Sequence, residues 1–305
     1  MALTRLAQET VSGSDAASLS TGTVTTVADR LYMLEFRGTM SAGATLKVTV
    51  NGNTTDTDYT RSTTGSTGAT DQNSRPQYAL DSGATFVMTA YFIVVNSKVI
   101  YLIQSQETDN AARLFYNCGE VDEASLSSVS IEATSGTPIA VDSQISFYDL
   151  GGLTEVANEE VSGADVSYVG TGTLTTETDK TYLALSIIKT SGDCVLDGVI
   201  NNVTTLTDYR YGYTSGFPAE GTGLSLRSTQ ILSSDMDLLV AVTLIRVFDS
   251  RPFFTTIFYR RRSLGNRAYV GAHLHTTETD FDEFGWNGST TKITAGSKVQ
   301  LLEWI

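Results

Sequence analysis

The stretch Thr45-Leu46-Lys47-Val48-Thr49-Val50-Asn51-Gly52 alternates polar and apolar side chains for six residues and then halts on a turn pair. A period of two puts Leu46, Val48 and Val50 on one side of an extended chain and Thr45, Lys47 and Thr49 on the other, the pattern of a half-buried strand. Asn-Gly accepts the left-handed backbone that a tight reversal needs. Upstream, Tyr32-Met33-Leu34-Glu35-Phe36-Arg37 reads the same way. Downstream, Phe86 to Val95, Leu238 to Val247 and Phe253 to Tyr259 are apolar on both faces, as central strands covered on both sides would be. Asn96-Ser97 breaks the longest apolar run and makes it a hairpin rather than a membrane span. No stretch keeps an apolar 3.6-residue period for three turns between a cap and a stop. The chain reads as all-β.

The pattern is written twice. Val11-Ser12-Gly13-Ser14-Asp15 returns as Val161-Ser162-Gly163-Ala164-Asp165, and Thr21-Gly22-Thr23-Val24-Thr25-Thr26 returns as Thr171-Gly172-Thr173-Leu174-Thr175-Thr176. Asp58-Tyr59 returns as Asp208-Tyr209. The offset is 150 throughout, and 15 of the 30 positions from residue 3 to residue 32 are identical to their partners. This predicts two domains related by internal duplication, residues 1–150 and 151–305, each long enough to close its own core. Runs bounded by turns number about eight per copy, which fits a jelly-roll β-sandwich. The copies differ most over Arg61 to Pro76 and Tyr211 to Gly223, expected to be polar loops where recognition sits.

Composition narrows the function. The net charge is −14, and neither copy is basic, with 8 basic and 16 acidic residues through Leu150 and 12 and 18 after it. A general nucleic-acid binder needs clustered cations, so none is expected. Met1-Ala2-Leu3-Thr4-Arg5 does not open a signal peptide, and no membrane partner is expected. Cys118 and Cys194 occupy non-equivalent positions and read as reduced, mostly buried thiols.

The ends of the copies carry a family resemblance. Copy two closes with Ala295-Gly296-Ser297 followed by Lys298-Val299-Gln300-Leu301-Leu302-Glu303-Trp304-Ile305; copy one closes with Val141-Asp142-Ser143 followed by Gln144-Ile145-Ser146-Phe147-Tyr148-Asp149-Leu150. A small-residue turn and a terminal aromatic-rich strand, with an early Asn51-Gly52…Tyr59 or Asn201-Asn202…Tyr209, resemble jelly-roll domains of tailed-phage virion proteins. The resemblance implies a non-enzymatic virion protein that decorates or cements a capsid. Its partners would be the major capsid protein lattice and itself, as a trimer. The alternative is a tail or fibre module that binds host-surface glycan.

Candidate site residues follow from residue chemistry. Arg260-Arg261-Arg262 is the one basic cluster; alternation puts Arg260 and Arg262 on one face and Arg261 on the other. With Phe253 and Phe254 it forms a candidate interface, because Arg forks pair with carboxylates. For the glycan alternative, Tyr209, Tyr211 and Tyr213 share one strand face, and Trp286 sits between Gly285 and Asn287-Gly288 in an expected loop. His273 and His275 share a face two residues apart and could begin a divalent-metal site, but copy one has no histidine and no metal or cofactor is expected. Asp56-Thr57-Asp58 and Thr207-Asp208 lack the glycine and distal glutamate of a calcium loop and read as capped turns. The nucleophile-elbow, zincin, phosphate-loop and dinucleotide motifs are absent, so no catalytic residues are expected.

Overall fold

A computed structural model of the chain describes residues 3–64, 70–108, 113–174, 180–192, 196–204, 209–213, 221–222, 236–248, 251–262, 267–275, 278, 280–288, 290 and 292–304. The protein is all-β and divides into two compact units, one ending at Gly152 and the other beginning at Leu153.

The first unit carries β1 (Thr4–Thr10), β2 (Ser18–Ser20), β3 (Tyr32–Thr39), β4 (Ala44–Val50), β5 (Tyr59–Thr64), β6 (Thr70–Gln72), β7 (Gln77–Leu80), β8 (Thr85–Val95), β9 (Lys98–Glu107), β10 (Arg113–Val121), β11 (Val129–Ala133) and β12 (Gln144–Asp149). They form two antiparallel sheets, β1-β12-β3-β8-β9-β10-β5-β6 and β2-β11-β4-β7. Of eight strands, β1, β3, β8 and β12 lie in the larger sheet and β2, β4, β7 and β11 in the smaller, and the chain changes sheet at each step except from β4 to β7, which pair with each other. That is jelly-roll connectivity. The strands beyond the expected eight, β5–β6 and β9–β10, both extend the larger sheet past β8.

The alternation that defines the strands also builds the core. Leu46, Val48 and Val50 of β4 meet Tyr32, Leu34 and Phe36 of β3, Phe86 and Phe92 of β8, and Phe147 of β12 between the sheets. The Tyr32 and Phe147 rings stack at 5.6 Å with only 7° between their planes. Each such side chain contributes roughly 1.5–3 kcal/mol on burial. Thr49, on the polar side of β4, is buried as well, because the Arg75 guanidinium lies over it and donates to its hydroxyl at 3.0 Å.

The second unit carries β13 (Thr154–Glu160), β14 (Tyr168–Gly170), β15 (Thr181–Lys189), β16 (Leu196–Ile200), β17 (Tyr209–Tyr213), β18 (Gly221–Thr222), β19 (Met236–Phe248), β20 (Arg251–Arg262), β21 (Arg267–His275), β22 (Phe284–Gly288) and β23 (Lys298–Glu303). Its larger sheet runs β13-β23-β15-β19-β20-β21-β17-β18, strand for strand the order of the first unit; among the described residues its smaller sheet is β14-β22-β16. A separate core gathers Tyr182, Leu196, Phe254, Phe258, Phe284 and Trp286.

The segments expected as polar loops are corrected in part. Arg61–Thr64 belongs to β5, Thr70–Gln72 to β6, and Tyr211–Tyr213 to β17. Arg61 pairs with Gly119 in the β5–β10 ladder and is only 4% exposed, so it offers no loop contact. Small polar residues concealed the strand because its partner, β10, lies far along the chain. Each larger sheet starts on an exposed strand interrupted by a bulge, at Leu6 in β1 and at Val156 in β13.

Candidate functional site

The residues that carry the resemblance make clamps. Asn51 and Gly52 both adopt left-handed backbone, with φ of 53° and 70°. Asn51 Nδ2 donates to the Ser125 carbonyl at 2.6 Å and to Glu123 Oε2 at 3.1 Å, while Oδ1 accepts from the Ser127 and Ser128 amides at 2.7 and 3.1 Å. One side chain thus fixes the whole approach to β11. Tyr59 completes the turn: its hydroxyl accepts from the Val50 amide at 2.9 Å and donates to the Asn53 carbonyl at 2.8 Å. Burial pushes that phenol up to about 12. Asn201 repeats the clamp, bonding Glu278, Asp280 and the amides of Asp282 and Glu283. Asn202 stands where Gly52 does and reaches φ 52°, which asparagine tolerates. The terminal turns match too. Ser143 Oγ accepts from the Thr39 amide and Ser297 Oγ from the Lys189 amide, each preceded by a left-handed residue, Asp142 or Gly296.

Asp56 and Asp58 lie in one 3-10 turn. Asp56 is held by Lys47 and Arg75, each at 3.0 Å, and Arg75 also reaches Glu132 at 3.4 Å. Burial alone would raise the Asp56 carboxyl, but hydrogen bonds from Lys47 and Arg75 outweigh it and hold the group at about 2. Asp58 accepts from Asn53 Nδ2 at 3.0 Å. Asp56 and Glu132 thus close an ion-pair network with Lys47 and Arg75 on the outer face of the smaller sheet. Thr207-Asp208 lies outside the described residues.

The candidate interface residues separate. Phe253 is 40% exposed, whereas Phe254 is fully buried in the core, since neighbours on a strand point to opposite faces. Arg260 is 3% exposed, paired in register with Leu239 and Arg267 within the sheet, and so does not form the open charged face expected with Arg262. Arg261 is half-buried, and the Arg262 side chain lies outside the described residues. Trp286 is corrected from loop to core: it sits in β22, wholly buried, edge-on to Phe284 at 6.2 Å. The flanking glycines that suggested a loop belong to the strand.

β17 pairs with β21, placing Tyr209 opposite His275 and Tyr211 opposite His273. Two groups read separately in the sequence therefore share one ladder; their side chains, like Tyr213 and Cys194, lie outside the described residues. Cys118 is buried and its thiol is pushed far up by desolvation. Among the described residues, no three His, Cys, Asp or Glu side chains are grouped to hold a metal.

One feature of the second unit escaped the sequence reading. Tyr168 of β14 leans along the smaller sheet towards Gly170 and Gly285. A Cβ added at Gly170 would stand 2.6 Å from Tyr168 Cζ and 2.9 Å from Cε1; one added at Gly285 would stand 2.5 Å from Cζ and 2.7 Å from Cε2. The phenol end of the ring therefore lies over both glycines, with the hydroxyl nearest to each. Its hydroxyl donates to Glu283 Oε1 at 2.6 Å. Together with Glu159, Glu160 and Val161 it lines an open cleft of about 460 Å³. In the ladder Gly170 faces Gly285 as Ser20 faces Ser130 in the first unit, and Tyr168 stands where Ser18 does. The signal was the Tyr-x-Gly that replaces Ser-x-Ser inside the most strongly repeating region.

No family model matches the chain, and no curated protein matches it. Among solved structures, a Thermobifida fusca protein assigned as a thioesterase II is 10% identical over 72% of this chain and 80% of its own, with a TM-score of 0.10, too low to carry an argument about fold or function.

Proposed function

We propose that the protein is a non-enzymatic structural component of a tailed-phage virion, a decoration or cement protein that binds the major capsid lattice and associates with itself as a trimer. The observation that carries this reading is what the polar side chains do. Asn51, Asn201, Tyr59, Ser143, Ser297 and Asp56 are each bonded into turns or sheet faces of a jelly roll. Such clamps resist local opening, which suits a module that works by surface contact. The exposed Phe253 supplies an apolar contact at one end of β20. Two units on one chain let weak contacts add through effective concentration.

Particles assembled without this protein test the reading. Loss of thermal and low-salt tolerance, with hundreds of copies on complete particles, is the expected result. Unchanged tolerance together with lost adsorption to cells would reject a cement role in favour of a tail module.

A further inference from the structure

We propose that the cleft between the end of β13 and β14 in the second unit binds a neutral pyranose residue of a glycan chain, with the Tyr168 ring as its stacking platform. Side chains on a strand ordinarily stand away from the sheet. Tyr168 lies down, and it can do so only because positions 170 and 285 have no Cβ. Glycine within a strand is destabilising at each position. The first unit holds Ser18, Ser20 and Ser130 at these register positions and forms the same antiparallel ladder. The fold therefore has no need of the Tyr-Gly-Gly set, and a destabilising, coordinated difference points to a use at the surface.

The chemistry of the cleft specifies its occupant. Tyr168 borders the cleft, with its phenol end over Gly170 and Gly285 and its hydroxyl held by Glu283. A flat aromatic face complements the C–H face of a pyranose. Glu159, Glu160 and Glu283 at the rim are acceptors for sugar hydroxyls, and their charge disfavours phosphate, sulfate and uronic acids. A volume of about 460 Å³ lies within the range of small-ligand sites, roughly 300–1,000 Å³, and admits one or two sugar rings. The proposal needs no virion and stands apart from the cement role, so either can fail alone.

The test is saturation-transfer NMR on the full chain with methyl glycosides and with malto-, cello- and chito-oligosaccharides, beside uronic-acid oligomers as the charged comparison. Transfer to at least one neutral sugar is expected. Tyr168→Ser should weaken binding about tenfold or more, while Tyr168→Phe keeps the ring and most of the affinity. The triple variant Tyr168→Ser, Gly170→Ser, Gly285→Ser reproduces the first unit's surface; it should fold and should not bind. No transfer to any neutral sugar, preference for the uronic acids, or binding that survives both serine variants would overturn the proposal.

Discussion

Tyr59 shows how much one hydroxyl can organise. It is fully buried and bonded to both sides of the turn that begins at Asn51. Tyr59→Phe keeps the ring but leaves the Val50 amide and the Asn53 carbonyl without this partner, so it should lower stability by about 1–3 kcal/mol, read as a shift in the urea midpoint. Asp56 governs acid behaviour. Its carboxyl is depressed from 3.8 to about 2, so its share of stability is present above about pH 4 and is lost as pH falls through about 2. Asp56→Asn should lower the melting temperature above about pH 4 and flatten its fall between about pH 4 and 2; an equally steep acid loss in the variant would contradict the network. The effect is modest because the side chain is 42% exposed. At this scale the sequence was half legible. Asn51-Gly52 announces a turn, but nothing local says that its amide reaches Ser125 to Ser128, more than 70 residues on. Trp286 misled for the same reason: Gly285 beside it is a glycine because the Tyr168 phenol, distant in sequence, lies where its Cβ would be.

Among elements, the insertion β5–β6 was the hardest to foresee. Its residues are small and polar, and β5 becomes a strand only because β10 lies alongside it. Gly119 is the hinge of that pairing. It lets the Tyr101 hydroxyl cross to the Thr60 carbonyl at 2.7 Å, and a Cβ there would overlap the same carbonyl oxygen. Gly119→Ala should therefore destabilise the protein by about 2–3 kcal/mol in chemical denaturation. Adding Tyr101→Phe should not restore it, because the obstruction is backbone; rescue by that second change would show the strain to be side-chain crowding instead. The jelly-roll strands were legible by contrast, since each presents one alternating face to a core that the same chain supplies.

Across the whole molecule, the all-β class could be read from the period of two, whereas strand order could not, because pairing is decided by partners far apart in sequence. The bulges at Leu6 and Val156 bear on how such a protein survives crowding. An open margin with regular hydrogen-bond spacing would template the next chain and polymerise. Here each margin strand carries a misplaced residue that spoils the spacing, and acidic side chains at Glu9, Glu155 and Glu159 repel an incoming copy. Deleting Leu6 and Val156 together should regularise both margins and raise filament formation in concentrated solution, followed by light scattering and thioflavin fluorescence; the natural chain at the same concentration should stay as discrete molecules.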